Sequence, residues 1–173
     1  MLRLLIEGRP GAGKTTAVLR LAERLRRAGL PLAGFVTEEL RERGRRVGFT
    51  VESLDGGRAT LASVRLPGPP RVGRYGVDLA AFESIALPAL RSPPPRAAVL
   101  IDELGKMELA SEAFRGAVEG VLERPGPLVA AVQLARHPFT DAVKARPDVE
   151  TVRLTAANRD QLPERIATRL LGG

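Results

Sequence analysis

The residues best suited to chemistry lie in two short stretches, one near the N-terminus and one in the middle of the chain. Residues 8–15 read GRPGAGKT, and residues 98–103 read AVLIDE. The glycines of the first stretch let successive backbone N–H groups face an anion without side chains intervening. The second stretch places two carboxylates directly after an apolar run, where a buried strand would end. The pair predicts a site for a phosphorylated ligand and a metal ion.

The first stretch matches the phosphate-binding pattern G-x-x-x-x-G-K-T between an apolar strand and an amphipathic helix. We expect Lys14 to reach the β and γ phosphates as a catalytic residue, and the Thr15 hydroxyl to ligate Mg²⁺. The expected nucleotide-binding residues of the loop are Gly8, Arg9, Pro10, Gly11, Ala12, Gly13, Lys14 and Thr15, with Thr16 as a further contact.

The second stretch supplies the acidic residue that a phosphate-binding loop needs at the end of a neighbouring strand. Asp102 is expected to hold the magnesium ion through water. Glu103 follows it and is the expected catalytic base, because a carboxylate there can polarise an attacking water. No cysteine is present, so any metal must use oxygen ligands.

Phosphoryl transfer also benefits from additional positive charge, usually from arginine. Arg136 follows the apolar strand of residues 128–134, and Lys106 follows the acidic pair. Arg136 and Arg159 are therefore candidate phosphate or base contacts, together with Lys106 and Arg74. His137 is the single histidine, and a lone histidine before a proline is interpreted as structural.

The elements around these residues alternate between strands and helices over the whole of residues 1–173. This pattern predicts a single α/β domain with a three-layer P-loop fold, a mainly parallel sheet and helices on both faces. Residues 34–66 lack the βα rhythm and predict a small antiparallel excursion. Residues 65–77 are rich in proline, glycine and arginine and predict a surface loop, and Asn158 is expected to cap the closing helix.

The composition limits the possible partners. The net charge is +7, but the arginines are scattered and acidic residues are interleaved, so nucleic-acid binding is not favoured. The apolar runs are strand-sized, which predicts no membrane span. The chain enters its phosphate-binding motif without a signal peptide, so a cytoplasmic location is expected. No pattern in the sequence indicates an oligomeric state.

The sequence motifs bear on three alternatives to an unselective hydrolase. Residues 102–105 read DELG, which also fits the D-x-x-G pattern of GTPases, but no N-K-x-D or T-K-x-D motif follows. Base selectivity is therefore expected to be loose. A nucleotide, small-molecule or polynucleotide kinase remains open, with residues 66–77 closing over the acceptor. An ATP-dependent switch or RNA/DNA-binding module also remains open.

With these residues described, the chain resembles the THEP-type nucleoside-triphosphatases, also called cancer-related NTPases. The resemblance covers nearly the whole length and rests on GRPGAGKTT, GFVTEE, VGRYGVDLAAFE, IDELGKMEL, HPFTDAVK and LTAANRDQLP. It implies a Mg²⁺-dependent enzyme that slowly releases phosphate from ATP, GTP, CTP and UTP, and sometimes from diphosphates. It also implies a second nucleotide-binding segment of Val99, Leu100, Ile101, Asp102, Glu103, Leu104, Gly105 and Lys106.

Overall fold

The apolar run that opens the chain forms one strand of a nine-stranded sheet in the computed structural model, which describes residues 1–172. The strands are β1 Arg3–Gly8, β2 Leu32–Glu42, β3 Arg45–Ser53, β4 Arg58–Ser63, β5 Arg71–Val72, β6 Tyr75–Val77, β7 Ala98–Leu104, β8 Leu128–Gln133 and β9 Glu150–Arg153. The helices are α1 Lys14–Arg27, α2 Leu79–Arg91, α3 Glu112–Glu123, α4 Pro138–Lys144 and α5 Leu162–Leu171, with a 3₁₀ turn at Glu108–Ala110.

The strand order places the two chemical stretches near one another. The order is β5-β6-β4-β3-β2-β7-β8-β1-β9. The last five strands in this order, β2, β7, β8, β1 and β9, are parallel to one another. Strand β8 lies between β1 and β7, so a single strand separates the phosphate-binding loop from the acidic pair. All three strands end at the same edge of the sheet, where ligands of open α/β sheets bind.

Two hydrophobic cores hold the helices against opposite faces of the sheet. Helices α1 and α5 pack over one core, and α2 and α3 pack over the other. In the second core Phe35, Phe82 and Phe114 meet edge to face, with ring centroids 5.1 to 5.7 Å apart. The predicted mainly parallel sheet with helices on both faces is confirmed.

The antiparallel excursion is larger than residues 34–66. Strand β2 pairs with β7 only over its first residues, then continues in an antiparallel pairing with β3, which pairs with β4. The prediction of a surface loop at residues 65–77 holds for residues 65–70 and is wrong for the rest, because residues 71–72 and 75–77 form β5 and β6 and extend the sheet. Tyr75, Gly76 and Val77 are buried there. Strands β5 and β6 are thus held in the sheet by their hydrogen bonds to each other and to β4.

Two local expectations near the C-terminal end also need correction. The HPFTDAVK stretch forms the short helix α4, which the sequence pattern had not indicated. Asn158 does not cap α5; its side chain accepts a hydrogen bond from the Thr155 backbone N–H and donates to the Arg153 carbonyl. It therefore closes the turn after β9. Within residues 1–172 no helix is long and apolar enough to cross a membrane.

Candidate active site

The loop between β1 and α1 has the backbone shape that its glycines permit. Gly11 and Gly13 have φ angles of 77° and 100°, in the left-handed region that side chains disfavour. No atom lies within 4 Å of where a Cβ would stand at either residue. The backbone conformation, and not crowding, is therefore what calls for glycine here. Helix α1 begins directly after Gly13, so its N-terminal N–H groups face the space within the loop.

Lys14 is held within this loop. It is 8% exposed, and its ammonium group donates to the carbonyl oxygens of Gly8 at 2.7 Å and Arg9 at 3.3 Å. Its Nζ also lies 3.6 Å from Oε2 of Glu103. The positive charge therefore stands between the phosphate-binding loop and the acidic strand end.

Asp102 follows four buried apolar residues of β7 and is only 1% exposed. Burial raises the pKa of Asp102 to about 7, while the nearby Thr15 hydroxyl opposes that rise. Among residues 1–172, neither of its carboxylate oxygens has a hydrogen-bond partner of ordinary geometry. A buried carboxylate without partners is costly unless a cation balances it.

This pairing of Asp102 with Thr15 fits a Mg²⁺ ion. Magnesium prefers oxygen ligands and is usually bound through one or two carboxylates plus substrate phosphates and water. No cluster of three or more acidic, histidine or cysteine side chains that could hold a metal is found in the described part of the chain. The protein thus offers a partial set of ligands, of the kind that a bound phosphate would complete.

Glu103 is oriented by a residue of the intervening strand. The Nε2 of Gln133, the last residue of β8, donates to Glu103 Oε1 at 2.9 Å, and the other oxygen faces Lys14. The pairing of β7 with β8 shifts register between Ile101 and Leu104, so the acidic pair sits at an irregularity of the ladder. Glu103 is 20% exposed and can still reach water.

A third acid completes this group. Glu108, on the 3₁₀ turn that follows β7, is 4% exposed, and burial raises its pKa well above the ordinary range. We call Asp102, Glu103, Glu108 and Gln133 the acidic corner. Sequence reasoning missed Gln133 and Glu108. The available signals were a polar residue ending the apolar run of β8, and a second glutamate close behind the acidic pair in IDELGKMEL.

The remaining predicted residues are distributed unevenly. Val99, Leu100, Ile101 and Leu104 are core residues that carry β7, whereas Gly105 is buried beside the acidic corner and Lys106 is exposed. Their contact with a nucleotide stays a prediction. Thr16 is exposed on the first turn of α1.

The candidate arginines do not converge on the loop. The Arg136 side chain is 87% exposed and pairs with Asp141 at 2.9 Å. Arg159 is exposed between β9 and α5. Arg74 is tied to the excursion, where its guanidinium donates to the Tyr75 hydroxyl and the Arg46 carbonyl. His137 has the predicted structural role, because its Nδ1 accepts from the Phe139 N–H and caps α4.

Comparison with known proteins gives consistent matches over nearly the full length. A family model described as NTPase matches residues 3–167. The nucleoside-triphosphatase THEP1 of Thermotoga sp. (strain RQ2) is 41% identical over 170 residues, covering 98% of this chain and 95% of the relative. The crystal structure of THEP1 from the hyperthermophile Aquifex aeolicus has a TM-score of 0.87 at 34% identity and covers 98% of this chain and 99% of that one. The solution structure of a human cancer-related nucleoside triphosphatase has a TM-score of 0.86 at 38% identity, covering 100% and 99%.

Proposed function

The chain belongs to the family of THEP1 and cancer-related nucleoside-triphosphatases, and from that premise we propose that it is a Mg²⁺-dependent enzyme that hydrolyses several nucleoside triphosphates to diphosphate and phosphate. One observation carries the mechanism. Glu103 lies 3.6 Å from the Lys14 ammonium and is held by Gln133, so a base and a phosphate-binding cation meet at one point of the sheet edge.

The phosphate-binding loop and Lys14 bind and orient the triphosphate. The N–H groups at the start of α1 face the phosphate oxygens, and Lys14 exchanges its contacts with Gly8 and Arg9 for the β and γ phosphates. Thr15 and Asp102 would hold Mg²⁺ at this point. When bound, such an ion offsets the charge that develops on the transferring phosphoryl group.

Glu103 supplies the general base. Its carboxylate accepts a proton from a water molecule as the water oxygen bonds to the γ phosphorus. The bond from that phosphorus to the β–γ bridging oxygen breaks, and the diphosphate leaves with the electron pair. Gln133 keeps the carboxylate turned toward the loop, because its amide occupies the other oxygen. This orientation favours a water placed in line with the phosphate.

Broad base tolerance follows from where the contacts lie. The residues proposed to bind substrate surround the phosphates, and the chain carries no guanine-reading N-K-x-D or T-K-x-D motif. When phosphate contacts dominate, kcat/KM values for ATP, GTP, CTP and UTP should fall within about two decades of one another.

Phosphate release across these four triphosphates, with and without candidate acceptors, tests the proposal. Turnover with water alone supports a hydrolase, whereas turnover that appears only with an acceptor hydroxyl would make the protein a kinase. A strict requirement for guanine would overturn the base tolerance. The dependence of turnover on added Mg²⁺, measured after treatment with a chelator, tests the metal requirement.

A further inference from the structure

Glu108 is a buried acid that the proposed hydrolysis leaves without a role. Within residues 1–172 it forms no ion pair, and burial followed by the charge of Glu103 raises its pKa well above the ordinary range. A carboxylate removed from water without a cation favours its protonated form. The uncharged form of Glu108 is therefore the form that its surroundings favour.

The geometry around Gly105 brings this acid to the catalytic base. A Cβ built on Gly105 would lie 2.8 Å from Glu108 Oε2, 3.0 Å from Gln133 Nε2 and 3.0 Å from Glu103 Oε1. Three side chains from three segments therefore converge above one glycine. The two glutamate oxygens are consequently no more than about 6 Å apart, a separation that a single bridging water can span.

We propose that Glu108 is a positioning residue for the hydrolysis, a buried side chain that lies beside Glu103 and Gln133 and keeps the Glu103 carboxylate aimed at the phosphate-binding loop. The inference rests on the proposed function, since it needs Glu103 as the base. In its uncharged form Glu108 donates a hydrogen bond to a water that it shares with Glu103. An ionised Glu108 would instead repel Glu103 and turn it away.

The surroundings of Glu108 favour the neutral form. Three elements bring charged groups toward Glu108. Strand β7 contributes two carboxylates. Helix α2 contributes a carboxylate that accepts a hydrogen bond from Ser111, and helix α3 contributes a carboxylate and a guanidinium, which donates to the Leu109 carbonyl. These groups are Asp102, Glu103, Glu83, Glu112 and Arg115. Helices α2 and α3 are the helices that pack on the 3₁₀ turn. The main charge effect on Glu108 nevertheless comes from the two carboxylates of β7, which raise its pKa.

The activity test compares three variants in Mg²⁺ and saturating ATP. Glu108→Ala should lower kcat about 10- to 100-fold with little change in KM, since a displaced base costs turnover and not binding. Glu108→Gln keeps a neutral donor of the same shape and should restore most of kcat. Ser111→Ala is the matched control, because it disturbs the same turn and the cap of α3 without touching Glu103.

A second measurement does not depend on activity. Between the ordinary glutamate pKa and the raised native value, the folded protein binds a proton that the unfolded chain has released, so stability falls as pH rises. The Glu108→Gln variant has no titrating group at this position, so it does not lose this stability as the pH rises. The Tm of Glu108→Gln minus that of wild type should therefore grow as the pH rises above the ordinary glutamate pKa, and Ser111→Ala should show no such trend.

The outcomes separate this inference from the proposed function. If Glu103→Gln retains wild-type kcat, the proposed function fails. If Glu103→Gln stalls hydrolysis while Glu108→Ala keeps wild-type kcat, only the role of Glu108 is overturned. Loss of kcat in Glu108→Gln equal to that in Glu108→Ala, or a Tm difference that does not change with pH, also overturns it.

Discussion

The phosphate-binding loop is built from consecutive residues 8–15, whereas the acidic corner is assembled from β7, the turn after it and the end of β8. The loop works mainly through backbone N–H groups, and its shape depends on glycine conformations. The corner works through side chains whose positions depend on strand order and burial. Local sequence therefore determines the first region, and tertiary packing determines the second. The two regions should respond differently to mutation.

The largest effect is expected in the loop. Lys14→Ala removes the buried side-chain charge of the loop and should lower kcat/KM for MgATP by roughly 10³- to 10⁵-fold, with nucleotide affinity lost as well. Calorimetry and phosphate release measure the two losses. Arg20→Ala, on the exposed face of the same helix, is the control and should behave as wild type. Unaltered ATP binding by Lys14→Ala would remove the loop from the site.

The next effect separates the two acids of β7. Glu103→Gln should lower kcat by about 10²- to 10⁴-fold while ATP still binds, because a general base acts in the transition state. Asp102→Asn should instead raise the Mg²⁺ concentration needed for nucleotide binding, since an amide is a weaker ligand than a carboxylate. Nucleotide calorimetry at several Mg²⁺ concentrations distinguishes them. Identical behaviour of the two variants would contradict the division of roles.

Gly105→Ala tests the acidic corner without removing a polar group. The added Cβ would press on Glu103, Glu108 and Gln133, so kcat should fall about 10- to 100-fold at unchanged nucleotide affinity. The control is Gly116→Ala in α3, where a Cβ meets no atom within 4 Å. That control should keep activity and add a few tenths of a kcal/mol of stability or more. Wild-type kcat in Gly105→Ala would show that the corner tolerates displacement.

The smallest effect is expected at Arg136. Its exposed guanidinium pairs with Asp141, and such surface pairs are worth about 0–1 kcal/mol, so Arg136→Ala should change kcat/KM by no more than about twofold. Steady-state kinetics with MgATP measures this. A loss of tenfold or more would instead mean that the segment after β8 moves onto the nucleotide. The side chains that form the site would then include residues beyond the acidic corner.

The same contrast explains what the sequence could predict. The loop, its flanking strand and helix, and the acidic pair after an apolar run all lie within short windows, so pattern and spacing were sufficient. The sequence marks Gln133 only as a polar residue after an apolar run, whereas its contact with Glu103 depends on β8 lying between β1 and β7. The buried state of Glu108 depends on how α2 and α3 pack on the 3₁₀ turn, which no local pattern records.

The errors in the fold have a similar cause. The proline and glycine residues around β5 and β6 predict a loop. Strand β6 is nevertheless buried, because it pairs with β4. Asn158 has the residue type of a helix cap, but its hydrogen bonds close the turn after β9 instead. In both cases a tertiary partner outweighed the local preference.

The position of β1 in the sheet has a consequence for the order of assembly during synthesis. Its strand neighbours are β8 and β9, which occupy residues 128–153 of the chain. The nascent β1 therefore has no strand to pair with until residues 128–153 have left the ribosome, while β2, β3 and β4 can pair with one another earlier. The segment that carries the phosphate-binding loop is thus made before the strands that fix it in the sheet, so nucleotide binding reports that synthesis has passed β8 and β9.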